Sequence, residues 1–211
     1  MLNLLSTPPK TESFLLACSG GVDSMAAADF FLRGERLFRL AYFNHGTPQA
    51  TTMQDHVTAW GRANNIPVET GFITSVRDKK SSPEEHWRDE RYRWFNSFNE
   101  PIVTCHHLND VAETWIFSSL NGTPKLIRSR IGNIYRPFLL NTKKQLIDWC
   151  DWNKVVWIDD KSNNDIHFPR NRIRHVIMPE CLKINPGLMK VMKKKLIARE
   201  TENWKLKHGC V

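Results

Sequence analysis

The sequence predicts an α/β fold: an open, mostly parallel sheet with helices on both faces, followed by a small helical C-terminal region. Three observations carry this. Short apolar runs alternate with helix-period segments as far as residue 122. The runs are continuous rather than alternating, as in strands covered on both faces. Beyond residue 140 the pattern turns helical and basic.

In chain order, residues 14–18 (Phe-Leu-Leu-Ala-Cys) form the first strand, and an Ala-rich helix over residues 25–32 ends at Gly34. Residues 37–43 read as the second strand. Met53, Val57 and Trp60 fall at i, i+4 and i+7 on a helix that stops near Asn64-Asn65. Residues 66–72 give a third strand. Ser82-Pro83-Glu84-Glu85 is a capping box with Pro at the first helical position, and Trp87, Trp94, Phe95 and Phe98 form the apolar stripe of that helix. Residues 101–105 form a fourth strand, and the helix behind it stops at Asn121-Gly122. Residues 127–140 suggest an irregular strand pair. Thr142 opens a capped helix with Leu146, Trp149 and Cys150 on one side; residues 155–158 read as a short strand and 159–169 as a loop. Asn185-Pro186 suits the start of a last helix, with Leu188, Val191, Met192 and Leu196 on its apolar side and a lysine-rich edge. The break in pattern divides the chain into an α/β domain over residues 1–140 and a mainly helical basic region over 141–211.

The net charge of +8 is uneven. Residues 1–170 carry 20 basic and 19 acidic side chains, and residues 171–211 carry 10 and 3. An excess concentrated in the last fifth of the chain points to a polyanionic partner, nucleic acid first. No apolar run approaches the roughly 18 residues that span a bilayer, and the N-terminus lacks a secretory apolar core. Five widely spaced cysteines with no CxxC fit a reducing cytoplasm and speak against a zinc ribbon.

Ser19-Gly20-Gly21-Val22-Asp23-Ser24 is the strongest local signal. Two glycines at a strand-to-helix turn let the backbone approach a ligand, and the free N–H groups of the helix start favour phosphate. The loop lacks the Gly-Lys-Ser/Thr of a Walker loop and the third glycine of a dinucleotide fingerprint. A second cluster, residues 106–114 (His-His-Leu-Asn-Asp-Val-Ala-Glu-Thr), follows the fourth strand at the carboxyl edge of the sheet. Asp110 and Glu113 share a helix face there, suited to Mg²⁺ or an incoming ammonium group, or to capping the helix. Arg88, Arg91 and Tyr92 share a face of the preceding helix, where two arginines can clamp phosphate or carboxylate or can pair with Asp89 and Glu90.

Residues 19–24 resemble the SGGxDS motif of the PP-loop ATP pyrophosphatases, which cleave ATP between its α and β phosphates. Asn44-His45-Gly46, residues 88–92 and residues 106–114 extend the resemblance to the tRNA(Ile)-lysidine synthetases, in the same order. Arg136-Pro137, Asp160-Lys161-Ser162-Asn163, residues 170–174, Pro179 and Asn185-Pro186 are similar to later elements of that family. Asn109 stands where the family has an Asp, Trp87 where it has Ala, and Thr47-Pro48 where it has Leu-Arg. The family's larger C-terminal domains do not fit in 211 residues.

The resemblance implies a PP-loop fold and a cytoplasmic carbon–nitrogen ligase that uses ATP and Mg²⁺. Its substrates would be free L-lysine and an isoleucine tRNA with a CAU anticodon. It places ATP on Ser19, Gly20, Gly21, Val22, Asp23 and Ser24. Catalysis falls to Asp110, Glu113, Arg88 and Arg91, with Mg²⁺ at Asp110. RNA contact falls to Arg170, Asn171, Arg172, Arg174, Lys193, Lys194 and Lys195, with a homodimer as one way to supply missing surface. Two other readings stay open: a PP-loop tRNA thiolase, because Cys18 and Cys105 lie at strand ends, and a non-catalytic RNA-binding protein on the same fold.

Overall fold

The computed structural model describes residues 2–78, 82–159 and 165–208. Six strands form one sheet in the order β3-β2-β1-β4-β6-β5. The first four, β1 (Phe14–Ala17), β2 (Phe38–Asn44), β3 (Val68–Phe72) and β4 (Ile102–Val103), run parallel, as does β6 (Ile134–Tyr135) beside β4. Only β5 (Arg130–Ile131) is antiparallel, closing a hairpin with β6. The order reverses around β1: the chain moves outward to β2 and β3, then returns to place β4 on the other side. That switch opens a crevice at the carboxyl ends of β1 and β4, where ligands bind in sheets of this kind.

The strands are apolar on both sides because both sides are covered. On one face Phe14, Leu16 and Leu40 pack with Met25 and Phe31 of α1 (Val22–Arg33), with Met53 and Val57 of α2 (Ala50–Ala63), and with Leu146 and Cys150 of α5 (Lys143–Asn153). On the other, Leu15, Ala41, Ile102 and Ile134 meet Phe95 of α3 (Pro83–Phe95). A third cluster joins α4 (Leu108–Leu120) to the C-terminal helices through Val111, Ala112, Ile116, Ile173, Met178, Met192 and Leu196. These helices are α6 (Pro169–Arg172), α7 (Met178–Ile184) and α8 (Leu188–His208).

Local signals hold where the chemistry is explicit. Ser82 Oγ accepts from the Glu85 N–H at 3.1 Å and caps α3. Thr142 and Gln145 form a reciprocal capping box on α5. The strand pair expected over residues 127–140 is the β5–β6 hairpin followed by a 3₁₀ turn, Pro137–Leu140. Residues 155–158 are not a strand. The Val155 N–H closes the end of α5 on Cys150 O, and the Ile158 N–H donates to Gly20 O at 3.0 Å, so this segment crosses over the glycine loop instead of joining the sheet. Between α6 and α7 the helix widens into a π turn, Ile173–Ile177, in which the Met178 N–H reaches Ile173 O. Pro179 has no N–H to continue the i→i−4 ladder, which accounts for the slip. In α8, Met192 and Leu196 are buried, while Val191, expected on the same stripe, is exposed. The Asp160-Lys161-Ser162-Asn163 segment lies outside the described residues.

Candidate functional site

The carboxyl ends of β1, β2 and β4 frame a cleft of about 470 Å³, within the size range of nucleotide and cofactor pockets. Its centre is the loop after β1. Gly20 takes φ +85°, a conformation L side chains rarely adopt, and a Cβ there would press on Val57 and the Met53 carbonyl. Ser24, buried at the start of α1, ties the loop together. Its Oγ donates to Gly21 O at 2.9 Å and accepts from the Ser19 N–H at 3.2 Å. No side chain caps α1 at Gly21, so the Val22 and Asp23 N–H groups stay open to an anion, while the Ser24 N–H donates to Gly21 O at 3.1 Å.

On the β4 side, His107 and Asp110 cap α4 reciprocally: the His107 N–H donates to Asp110 Oδ2 at 2.9 Å, and the Asp110 N–H to His107 Nδ1 at 3.4 Å. Asp110 Oδ1 accepts from Arg170 Nη2 at 3.2 Å. Burial opposes its ionisation, but His107 and Arg170 outweigh burial and hold the carboxyl well below the usual range. Glu113, one helical turn on and almost fully buried, takes Arg170 Nε at 3.2 Å and a two-pronged contact from Arg174, at 2.8 and 3.0 Å. Four residues on one turn of α4 and one turn of the α6–π segment thus form a closed, charge-neutral network at the cleft wall. His106, also in the wall, meets Thr104 Oγ1 through Nδ1 at 3.0 Å, and burial pushes its pKa down to about 3, so the ring is neutral near pH 7.

Asp23, from the glycine loop, faces this wall. Its Oδ2 accepts from Lys143 Nζ at 3.0 Å, and its Oδ1 makes no hydrogen bond and lies 3.6 Å from His107 Nε2. Lys143 is delivered by the start of α5, where its own N–H is held by Asn109 Oδ1 at 2.9 Å. Asn109 therefore serves as a brace between α4 and α5. Among the described residues, no group of three or more His, Cys, Asp or Glu is arranged to hold a metal ion.

The residues singled out from sequence separate in space. Ser19, Gly21, Val22, Asp23 and Ser24 of the loop line the cleft with Arg91, Asp110, Arg170 and Arg174; Gly20 shapes the turn beneath it, and Glu113 lies directly behind. Burial lowers the pKa of Arg91, which keeps its charge all the same. Arg88 lies outside the lining, exposed, with its guanidinium 4.7 Å from the centre of the Tyr92 ring. Arg170 and Arg174 point inward onto carboxylates, whereas Arg172, Lys194 and Lys195 are exposed; Asn171 Nδ2 is held by Asp165 O. Sequence reasoning passed over Lys143, visible only as the first residue of a capped helix, and over Trp87 as a cleft residue. The signal for Trp87 was its i, i+4 spacing to Arg91, which puts both on one helix face.

A family model described as a PP-loop domain matches residues 1–181. The chain belongs to the PP-loop family. The tRNA(Ile)-lysidine synthase of Haemophilus ducreyi is 32% identical over 187 residues, covering 83% of this chain and 43% of that protein. That of Thermosipho africanus is 32% identical over 196 residues, covering 84% and 45%. The chain thus spans less than half the length of the curated relatives it matches. Among solved structures, the NMN synthetase of Francisella tularensis superposes with a TM-score of 0.50 at 14% identity, covering 89% of this chain and 85% of that one. An NH3-dependent NAD synthetase of Campylobacter jejuni gives 0.50 at 10% identity, covering 93% and 89%. At such identities the likeness concerns the fold, an α/β PP-loop sheet. No described helix is long and apolar enough to cross a membrane.

Proposed function

We propose that this PP-loop chain catalyses lysidine formation on an isoleucine tRNA. In the first step the 2-carbonyl oxygen of the wobble cytosine in a CAU anticodon attacks the α phosphorus of ATP, and pyrophosphate leaves. In the second the ε-amine of free lysine attacks the activated carbon, and AMP leaves. The observation that carries the reading is the convergence, at one sheet edge, of an uncapped glycine loop with the Asp110–Glu113–Arg170–Arg174 network. The names of the relatives supply the substrate class.

The residues divide the work by charge. The open N–H groups behind Ser19, Gly20 and Gly21 would take the leaving pyrophosphate, whose charge the α1 dipole favours. Arg91, at the cleft wall, would offset charge growing on the α phosphate. Arg170, already turned inward, can serve the same phosphate or the lysine carboxylate. Asp110, with its strongly lowered pKa, is a fixed negative charge and a weak base. We assign it to anchoring the lysine ammonium, which would take over the Arg170 contact at Oδ1 as Arg170 turns to phosphate or carboxylate, not to removing its proton. Glu113, turned entirely onto two arginines, positions them.

Mg²⁺ fits Asp23 better than Asp110. Both Asp110 oxygens already accept N–H groups, whereas Asp23 Oδ1 is buried without a hydrogen bond beside the phosphate loop. One or two carboxylates plus phosphate oxygens make a normal Mg²⁺ site, and the ion would neutralise charge on the departing pyrophosphate. RNA would lie along the exposed Arg172, Lys194 and Lys195 and the half-buried Lys193, through its backbone phosphates.

The test is to incubate the protein with ATP, Mg²⁺, labelled lysine and unmodified isoleucine tRNA bearing CAU. Label in the RNA, with AMP and pyrophosphate released, is the expected result. RNA that is bound but never labelled refutes the activity. Sulfur incorporation from a persulfide donor would replace it with a thiolase.

A further inference from the structure

The cleft has two unlike walls. The β4 side is charged, as described. The β2–β3 side is aromatic, and the proposed chemistry uses none of its rings, only Arg91 one turn along α3 from Trp87. Trp87, on the second turn of α3, and His45, just past β2, both line the cleft, with ring centres 5.7 Å apart and planes at 41°. They are not loose surface rings. His45 leans on Phe43 at 5.0 Å, and Phe43 on Trp94 at 5.6 Å. Gly71 makes this ladder possible: a Cβ there would come within 2.5 Å of Trp94 and 2.8 Å of Phe43. The turn carrying His45 is also fixed, since Asn44 Oδ1 accepts from the Gly46 N–H at 2.8 Å and Asn44 Nδ2 donates to Gln54.

We propose that Trp87 is a specificity-determining residue that stacks on the adenine ring of ATP, with His45 as its backing. The geometry of the reaction selects the adenine over the RNA base. The phosphate loop sits between the two walls. Asp110 and Arg170, assigned above to the attacking lysine, stand on the β4 side, which leaves the β2–β3 side for the nucleoside. There the cleft floor is formed by Ala17 and Ala41, whose small side chains leave room for a flat ring. The wall is braced through the sheet before any ligand arrives, so little ordering cost is incurred on binding.

This inference rests on ATP binding alone, and not on lysine transfer. The experiment is equilibrium dialysis with labelled ATP and Mg²⁺, using wild type, Trp87→Ala and Trp87→Phe, with competition by inorganic tripolyphosphate. A base–aromatic stack predicts that Trp87→Ala weakens ATP binding about 5- to 150-fold, with Trp87→Phe recovering most of it. Tripolyphosphate, having no base, should compete equally well in all three, which also shows that the loop is folded. Loss of tripolyphosphate and ATP binding together would overturn the proposal in favour of a structural role. ATP binding within twofold of wild type would overturn it as well. If RNA binding fell in that case, the wall would belong to the cytidine.

Discussion

His106 offers a sharp quantitative test of the cleft wall. Its ring titrates near 6.5 in the open chain and at about 3 when folded, because burial disfavours the charged form. Below pH 6.5 the unfolded state therefore binds a proton that the folded state refuses, and stability falls as pH drops from there toward 3. At pH 5 the loss relative to pH 7.5 is about 2 kcal/mol, and it reaches about 4 kcal/mol near pH 3. The neighbouring Asp110 does not confuse this window. Its folded pKa is lowered from 3.8, so its contribution is complete above that value and is lost only at lower pH. The assay is urea unfolding at pH 7.5, 6.0 and 5.0 for wild type and His106→Gln. With a slope of about 2 kcal/mol per molar urea, the wild-type midpoint should drop about 1 M further than that of the variant. The other histidines contribute equally to both proteins and cancel. Parallel pH profiles would refute a neutral, half-buried ring at this position.

Three further outcomes follow from the site. Glu113→Gln takes from Arg170 and Arg174 one of the two carboxylates they share and leaves Asp110 to pair with both; because both arginines are also partly exposed, the cost should be about 2–3 kcal/mol by urea unfolding, short of a fully buried pair. Ser24→Ala removes the bridge between Ser19 and Gly21, and should cost about 1–2 kcal/mol in stability while weakening ATP at least about tenfold by dialysis. Replacing Lys193, Lys194 and Lys195 with Glu should lower the slope of log affinity for tRNA against log salt by about 2 or more in filter binding, with ATP affinity unchanged.

Much of the fold was legible because its signals are local. A continuous apolar run such as residues 14–18 can hardly be other than a covered strand, and Ser82 and Thr142 announce their helices by side-chain chemistry. The glycine loop was legible for the same reason: the turn at Gly20 demands its residue type. What escaped was set by tertiary context. Residues 155–158 have strand composition, but Lys154 in a left-handed conformation turns them across the glycine loop, where Ile158 finds a partner in Gly20 O. The π turn at Ile173–Ile177 follows from Pro179, yet the aim of Arg170 and Arg174 at α4 depends on contacts some 60 residues away in sequence. Lys143 and Asp23 are 120 residues apart, and no spacing rule could have joined them.

The same long-range contacts change the meaning of the basic excess. Counted along the chain, the arginines of the α6–π segment look like part of a tail that attracts polyanions. In the fold, Arg170 and Arg174 are turned inward and neutralised by Asp110 and Glu113, while Arg199 and Lys183 pair with Glu200 and Glu180. The charge left to an RNA backbone is narrower: Arg172 and the lysine edge of α8, on a helix whose Met192 and Leu196 pack on α4. That packing matters to the chemistry. The helix that would hold RNA rests on the helix that presents Asp110 and Glu113, so a bound strand would be positioned by the element that carries the charged wall. Weakening the α4–α8 contact should then lower turnover on tRNA while leaving ATP binding untouched. Met192→Ala is the direct trial: the buried side chain would leave a cavity costing about 2–4 kcal/mol. Equal losses in ATP binding and in RNA turnover would show that α8 supports the whole fold rather than the placement of the RNA.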